Sequence, residues 1–242
     1  MLPIIPLVGV MSSGKSTLGR KLAEEFNLYY FSVGDFFRSM CESPLPRFLA
    51  EVVRRDHPDK ADQYIDFEAF QNANVPGVSP AVCLAAYMHQ FIAFRDTIPH
   101  FIAIPLLQDK IKDINDIENA YKYKGILLDG FPRQLDHLES AEIINSSTHL
   151  VIYVDCPVPV ARSRFLKRSQ GAPDSAAYEH RVWAYEESKP HLLTELRLKK
   201  LLLTTTNDGS KTVDQAYGDL VEQLSSNARW RAIVGPTCLP LF

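Results

Sequence analysis

Close to the start of the chain lies the segment that most restricts what this sequence can fold into. Residues 9–16 read GVMSSGKS and fit the spacing G-x-x-x-x-G-K-[ST]. The apolar run at residues 4–8 predicts a short buried strand before the segment, although Pro6 is unusual inside a central strand. After Lys15, apolar residues recur at helical spacing. A glycine-rich turn between a strand and a helix predicts a loop that wraps around phosphate.

The chemistry of such a loop suits a nucleotide. Its backbone N–H groups and the first turn of the helix carry partial positive charge, Lys15 adds a full charge, and the Ser16 hydroxyl can bind Mg²⁺. The predicted phosphate contacts are Gly9, Ser12, Ser13, Gly14, Lys15, Ser16 and Thr17. GTPases, ATPases and kinases all carry loops of this kind, so the loop predicts nucleotide binding without naming a reaction.

Later parts of the chain alternate between apolar runs and helical patterns. The runs at residues 28–31, 125–128, 150–154 and 201–203 predict further strands, and residues 213–224 predict a last helix. This alternation is typical of a doubly wound α/β fold with a parallel sheet. Residues 40–97 break the rhythm and predict an inserted lobe. The tail after Ser226 has no clear period, and we expect a poorly ordered extension there.

Composition adds limits on partners and location. Lys and Arg number 26 against 29 Asp and Glu, and the net charge of -3 favours neither nucleic acid nor an anionic membrane as a partner. No apolar run is long enough to cross a bilayer, and the first residues lack a basic leader. The four cysteines, Cys41, Cys83, Cys156 and Cys238, are scattered, so we expect reduced thiols in a cytoplasmic protein.

A second motif brings a resemblance to a known family. Residues 129–133 read DGFPR after an apolar run, and they look like the signature of adenylate kinases and UMP-CMP kinases. Residues 32–38 (SVGDFFR), 164–168 (RFLKR) and 208–213 (DGSKTV) are similar to further segments of that family, in the family's order. The resemblance covers most of residues 4–225.

The resemblance implies a fold and an activity. The fold is an α/β P-loop NTPase with a doubly wound, parallel, five-stranded sheet and helices on both faces. Residues 1–38 and 98–226 would form the kinase core, residues 39–97 the inserted acceptor-binding lobe, residues 169–176 a short lid, and residues 227–242 a C-terminal extension. The activity is ATP-dependent phosphoryl transfer to a nucleoside monophosphate of the AMP, UMP or CMP type, with ATP and Mg²⁺ as cofactors, by a monomer without nucleic-acid or membrane partners.

The resemblance also assigns roles to individual residues. Transfer between two phosphate-bearing molecules gathers negative charge that arginine forks neutralise well. The catalytic residues would be Lys15, Arg38, Arg133, Arg168 and Arg181. ATP would also contact Arg164, which would stack on the base, together with Ser210 and Lys211. Asp129 would orient Mg²⁺-bound water. The acceptor would contact Val33, Asp35, Arg38, Ile98, Gly130, Arg133 and His137.

Departures from the family keep two alternatives open. Residues 11–20 (MSSGKSTLGR) are closer to shikimate and gluconate kinases, which phosphorylate a hydroxyl; Asp35 would then take the hydroxyl proton. The lid segment at 169–175 (SQGAPDS) lacks an expected arginine, which also favours a nucleotide-binding protein without catalysis, derived from such a kinase. At the acceptor site, Val33 and His137 replace the usual residue types. His137 could hydrogen-bond a base or be a partly exposed helix histidine.

Overall fold

The computed structural model describes residues 1–94, 96–116, 121–168 and 175–235. The strands are β1 (Ile4–Val8), β2 (Tyr29–Ser32), β3 (Ile126–Asp129), β4 (Val151–Asp155) and β5 (Leu202–Thr206). The helices are α1 (Lys15–Phe26), α2 (Val33–Cys41), α3 (Pro44–Asp56), α4 (Phe67–Gln71), α5 (Pro80–Ala93), α6 (His100–Asp116), α7 (Leu135–Ser140), α8 (Glu142–Ser147), α9 (Val158–Arg168), α10 (Ser175–Leu198), α11 (Val213–Ser226) and α12 (Ala228–Val234). None of the described helices is long and apolar enough to cross a membrane.

The five strands form one parallel sheet in the order β2-β3-β1-β4-β5. Alternate residues of β1 face opposite sides: Ile5 and Leu7 pack with α1, α11 and α12, and Val8 packs with α10. The α/β fold with a five-stranded parallel sheet and helices on both faces is therefore confirmed. Because parallel strands end at the same edge, the carboxyl ends of β1, β3 and β4 meet where the glycine-rich loop begins.

Pro6 lies inside the central strand, and the ladder beside it is interrupted. On one side Pro6 aligns with Leu128 of β3. On the other side, Ile4 of β1 pairs with Thr148, and Leu7 pairs with Ile152. The segment from Thr148 to Ile152 is therefore one residue longer than the segment of β1 that it faces. This bulge lies where a proline cannot donate a ladder hydrogen bond, and it explains why the central strand tolerates one.

The chain divides into two compact units, Met1–Val33 with His100–Phe242 and Gly34–Pro99. The second unit begins and ends close to the 39–97 lobe expected from the sequence, but it includes most of α2. Its core is formed by α3, α4 and α5, with Leu49, Phe70 and Ala86 among the buried side chains. Pro44 and Pro80 occupy the first turns of α3 and α5, where a missing N–H costs nothing. The prolines that disrupt the sequence pattern therefore start helices.

A buried glutamine organises the connection between α3 and α4. Gln90 is 3% exposed; its amide nitrogen donates to the carbonyl oxygen of Ile65 (3.1 Å), and its amide oxygen accepts the Ile65 N–H (2.9 Å). Arg54 donates to the carbonyl oxygens of Lys60 and Gln63 at 2.6 and 2.7 Å. These bonds satisfy the backbone of a segment that has little regular structure.

The C-terminal segment departs from the expectation. Residues 228–234 form α12, and Trp230 is fully buried against Phe26, with ring centroids 5.0 Å apart at 78°. The Asn227 side chain caps the helix by accepting the N–H groups of Arg229 and Trp230. A poorly ordered extension is therefore wrong for this part of the tail; residues 236–242 lie outside the described residues. The helix was missed because seven residues are too few for a visible period.

Candidate functional site

The loop between β1 and α1 has the backbone that its glycines predict. Gly14 has φ +97°, and a Cβ there would lie 2.3 Å from Nδ2 of Asn207. A Cβ on Gly9 would lie 2.6 Å from the carbonyl oxygen of Val154. Ser12 also takes a left-handed conformation, with φ 65°. The loop is thus tightly wrapped and crowded from outside, so its two glycines cannot be replaced without displacing neighbours.

Lys15 opens α1 and folds back over this loop. Its ammonium donates to the carbonyl oxygen of Val10 at 2.9 Å. Burial lowers the pKa of Lys15 to about 8; the Asp129 carboxylate opposes this shift, and the charges of Arg133 and Arg168 add to it. Three cations thus act on one another around the loop. An anion among them would stabilise the protonated lysine.

Asp129 ends β3 and is the acidic group of the site. It is 5% exposed, and its Oδ2 accepts from the Ser16 hydroxyl at 2.6 Å and from the Tyr30 hydroxyl at 2.5 Å. Burial and the hydrogen bond to Asp129 raise the pKa of Tyr30, so the phenol stays protonated and acts as a donor. Ser16 and Asp129 are oxygen ligands of the kind that Mg²⁺ takes, alongside phosphate and water. In the described ranges, no group of three or more His, Cys, Asp or Glu side chains could hold a metal ion by itself, so phosphate and water would have to supply the other ligands.

The structure places Arg168 against the loop, and the charge of Arg133 is near enough to act on Lys15. Arg168, at the end of α9, donates to the Ser12 hydroxyl at 3.2 Å. Arg133 donates through Nε to the carbonyl oxygen of Gly130 at 3.0 Å. Arg181 lies half-buried on α10. It is three residues after Tyr178, which packs with Val10 in one buried cluster. The catalytic roles of all three remain predictions.

Arg164 makes contacts that the sequence did not suggest. Its guanidinium donates to the carbonyl oxygens of Ser13 and Asn207, both at 3.1 Å, and to Oδ1 of Asn207 at 3.0 Å. The Cys156 sulfur lies 3.5 Å from the same group. Arg164 therefore holds the outside of the phosphate loop, and its predicted stacking on the ATP base remains untested.

Ser210 and Lys211 belong to the turn before α11. The Ser210 backbone and hydroxyl both donate to the Asp208 carboxylate, at 2.9 and 2.6 Å. Lys211 pairs with Asp219 on the exposed face of α11. Both residues are engaged in local contacts, and their predicted role in ATP binding stays a prediction.

His137 is buried, so the alternative of a partly exposed helix histidine is wrong. It stacks on Phe131, with centroids 4.9 Å apart and planes at 8°, and its Nδ1 accepts the Arg133 N–H at 3.2 Å. Burial, followed by the nearby charges of Arg133 and His100, lowers the pKa of His137 to about 4. The ring is therefore neutral near pH 7, with its proton on Nε2.

The remaining predicted acceptor residues occupy two places. Val33 is 6% exposed at the first turn of α2, and Gly130 has φ 91° in the turn after β3. In the second unit, Asp35 and Arg38 form an exposed ion pair across one turn of α2, and Ile98 is 9% exposed. Most of the predicted lid, residues 169–174, lies outside the described residues.

Three residues of the site were missed from the sequence: Tyr30, Asn207 and Cys156. Tyr30 read as one more apolar residue of a predicted strand, and Asn207 follows the last strand without belonging to a motif. Cys156 showed no partner at metal-binding spacing. Cys41, Cys83 and Cys156 are free and buried, as expected of reduced thiols, and Cys238 lies outside the described residues.

Comparison with known proteins gives several distant relatives. The chain is 24% identical over 221 residues to human adenylate kinase isoenzyme 5; the aligned region covers 90% of this chain and 32% of that protein. It is 22% identical over 222 residues to UMP-CMP kinase 2 of Caenorhabditis elegans, covering 90% of this chain and 93% of that one. It is 22% identical over 225 residues to uridylate kinase of Saccharomyces cerevisiae, covering 91% and 90%. The chain thus spans about a third of the first relative and nearly all of the other two.

The sequence matches no family model. The relatives nevertheless align over most of the chain, and the site carries the two motifs that led to the resemblance, the glycine-rich loop with Lys15 and the segment from Asp129 to Arg133. These similarities, at 22–24% identity over most of the chain, support the resemblance to the adenylate kinases and the UMP-CMP kinases.

Proposed function

We propose that the protein transfers the terminal phosphoryl group of Mg-ATP to a nucleoside monophosphate of the AMP, UMP or CMP type. The observation that carries the proposal is the set of charges at the loop, where the Lys15 ammonium experiences the Asp129 carboxylate and the charges of Arg133 and Arg168. Phosphoryl transfer needs fixed positive charge around the moving group and an oxygen ligand for magnesium. The names of the relatives favour the same reaction class.

On the donor side, the loop residues Gly9, Ser12, Ser13, Gly14 and Thr17 would surround the ATP phosphates. Lys15 and Arg168 neutralise charge on the transferred group. Ser16, through its hydroxyl, and Asp129, through water, would be the residues that hold Mg²⁺. Magnesium, when bound, supplies charge neutralisation on the phosphate oxygens. Arg164 and the turn with Ser210 and Lys211 are the proposed contacts of the ATP base.

On the acceptor side, Arg38 and Arg133 would bind the phosphate of the monophosphate through their planar forks. Arg181 joins Lys15 and Arg168 in stabilising charge on the phosphoryl group. Val33, Asp35, Ile98, Gly130 and His137 form the proposed contacts with the rest of the acceptor. No general base is required, because the acceptor phosphate is already an anionic nucleophile, and positioning with charge neutralisation carries the catalysis.

Direct assay of acceptors tests this proposal. ADP formation from Mg-ATP is measured in turn with AMP, UMP, CMP, GMP and their deoxy forms. We expect at least one monophosphate to support turnover and Lys15→Ala to reduce kcat by about a hundredfold or more, because a full charge at the transferred group is lost. Arg231→Ala provides the control, since this exposed arginine of α12 contacts the Ser225 carbonyl oxygen at 2.8 Å.

Two results would replace the proposal. Absence of acceptor-dependent ADP with every monophosphate, together with tight ATP binding, supports the non-catalytic alternative. Transfer to a phosphate-free hydroxylated acceptor such as gluconate or shikimate, unchanged in Arg133→Ala, supports the alternative in which Asp35 takes the hydroxyl proton.

A further inference from the structure

The Asn207 side chain lies against the outer surface of the phosphate loop. Its Nδ2 donates to the carbonyl oxygen of Ser13 at 2.7 Å, the same oxygen that accepts from Arg164. We propose that Asn207 is a positioning residue for phosphate binding, which holds the Ser13–Gly14 peptide so that the Gly14 N–H faces the bound phosphate. The inference rests on the proposed function only in taking this loop as the donor phosphate site.

The geometry of a peptide group supports this role. In a trans peptide the C=O and the N–H of the next residue point in opposite directions. Two donors on the outside of the loop fix the Ser13 carbonyl outward, so the Gly14 N–H is turned inward. Gly14 has φ +97°, a conformation that the peptide would leave easily if nothing held the carbonyl. Inward-facing N–H groups are what bind phosphate in such loops.

The amide of Asn207 is itself held in one orientation. Arg164 can only donate, so the atom that it contacts at 3.0 Å must be the amide oxygen, and the amide NH₂ must face Ser13. The backbone N–H of Asn207 donates to the carbonyl oxygen of Asp155 at 2.8 Å, which ties the residue to the end of β4. Donor and acceptor ends of the side chain therefore each meet a matching partner.

Asn207 also occupies the space that a side chain at position 14 would take. A Cβ on Gly14 would lie 2.3 Å from Nδ2 of Asn207. The Asn207 amide thus packs where only a glycine leaves room at position 14, although the two residues are 193 positions apart in the sequence. A residue of the same size without the NH₂ group would still fill this space. Among the described residues, Arg164 would then be the remaining side-chain donor to the Ser13 carbonyl oxygen.

The test measures phosphate binding directly, with inorganic tripolyphosphate and with ADP, by isothermal titration calorimetry. Asn207→Leu keeps the shape and removes both hydrogen-bonding ends. We expect it to bind either ligand about tenfold more weakly, the effect of losing one or two hydrogen bonds that hold the binding groups. In turnover, KM for Mg-ATP rises by a similar factor while KM for the monophosphate stays unchanged.

Asn207→Asp is the second variant. It keeps an oxygen for Arg164 but places its other oxygen against the Ser13 carbonyl, so we expect at least as large a loss. Asn227→Leu is the matched control, because this half-buried asparagine also hydrogen-bonds backbone groups through its side chain, accepting two N–H groups at the start of α12. It should lower the melting temperature without changing tripolyphosphate binding.

Wild-type affinity in both Asn207 variants, or an equal loss in Asn227→Leu, overturns the inference. Failure of the proposed function looks different: the wild type then binds tripolyphosphate, with the Asn207 effect intact, but transfers phosphate to no monophosphate. A wild-type protein that binds neither tripolyphosphate nor ADP overturns both proposals.

Discussion

At the scale of single residues, the site is governed by a half-buried lysine among other cations. Lys15 has a pKa of about 8 against an ordinary value of 10.5, chiefly because of burial. Between these two values the unfolded chain holds a proton that the native chain lacks, so this residue makes native stability rise with pH over that interval. Below about pH 8 the lysine is charged and can bind an anion.

This pKa predicts how ligand binding depends on pH. We expect the Kd of tripolyphosphate to be constant from pH 7 to near 8 and then to rise by up to about tenfold per pH unit, because binding requires the protonated lysine. Calorimetry between pH 7 and 9.5 measures it. Lys15→Arg stays charged throughout and should give a flat profile, since guanidinium does not titrate there. A wild-type profile as flat as that of Lys15→Arg would contradict the role of the ammonium.

Tyr30 provides a second prediction at this scale. Tyr30→Phe removes the donor to Oδ2 of Asp129, so the carboxylate is held by Ser16 without its second donor. We expect the Mg²⁺ concentration for half-maximal activity to rise several-fold and the free energy of unfolding to fall by about 1–3 kcal/mol. Mg²⁺ titration and urea unfolding measure the two effects.

A matched control exists for Tyr30. Tyr153 also donates its hydroxyl to an aspartate, Asp155, at 2.9 Å. Tyr153→Phe should lower stability without changing the Mg²⁺ titration. Equal Mg²⁺ dependence in the two variants would show that Tyr30 acts on stability alone.

The sequence predicts those site residues that lie next to one another in the chain, and it does not predict contacts between residues that are far apart in the chain. Gly9, Gly14 and Lys15 follow one another in a fixed spacing, so the loop could be recognised directly. Asp129 came with its own motif. Asn207 contacts a loop 194 residues away. Nothing in its neighbourhood in the sequence indicates that contact, because only the parallel sheet brings the two strand ends together.

At the scale of elements, apolar runs located all five strands, and for β1, β2, β3 and β4 the predicted ends lie within about one residue of those in the structure. Strands buried on both faces are continuously apolar, which makes them visible. β2 and β5 lie at the sheet edges, and β5 continues past its apolar part through Thr204 and Thr206, so its end was missed.

The C-terminal helix α12 gives the prediction at this scale. Trp230 is fully buried against Phe26 of α1, so Trp230→Ala leaves a large cavity beside the sheet. We expect the free energy of unfolding to fall by about 3–5 kcal/mol in urea denaturation. Trp183, 62% exposed on α10, is the control; Trp183→Ala should change stability by less than about 0.5 kcal/mol. Similar losses in both variants would mean that α12 adds little.

At the scale of the whole molecule, the described residues form several separate hydrophobic clusters, among them one beside the sheet and one among α3, α4 and α5. The sequence indicated an insertion because its prolines and mixed charges interrupt the strand–helix rhythm. It could not indicate how the connection between α3 and α4 is held, because that depends on the buried Gln90 amide and on Arg54, which meet its backbone from other parts of the chain.

That amide predicts a local effect. Gln90→Leu leaves the buried N–H and C=O of Ile65 without their side-chain partner, which costs about 1–3 kcal/mol. We expect faster hydrogen exchange at residues 57–66 and in α4, with tripolyphosphate binding retained. Gln71→Leu, at an exposed position ending α4, serves as the control and should leave exchange unchanged. Protection of residues 57–66 equal to that of the wild type would contradict the importance of Gln90.

The proline in β1 has one more consequence. Beside Pro6 the sheet has a seam, with β2, β3 and β1 on one side and β4 and β5 on the other, and the two halves share regular pairing only at Leu7 and Val8. The glycine-rich loop leaves from one half, and Asn207 and Arg164 reach it from the other. A ligand bound by this loop would therefore connect the two parts of the sheet across the line where regular strand pairing is shortest.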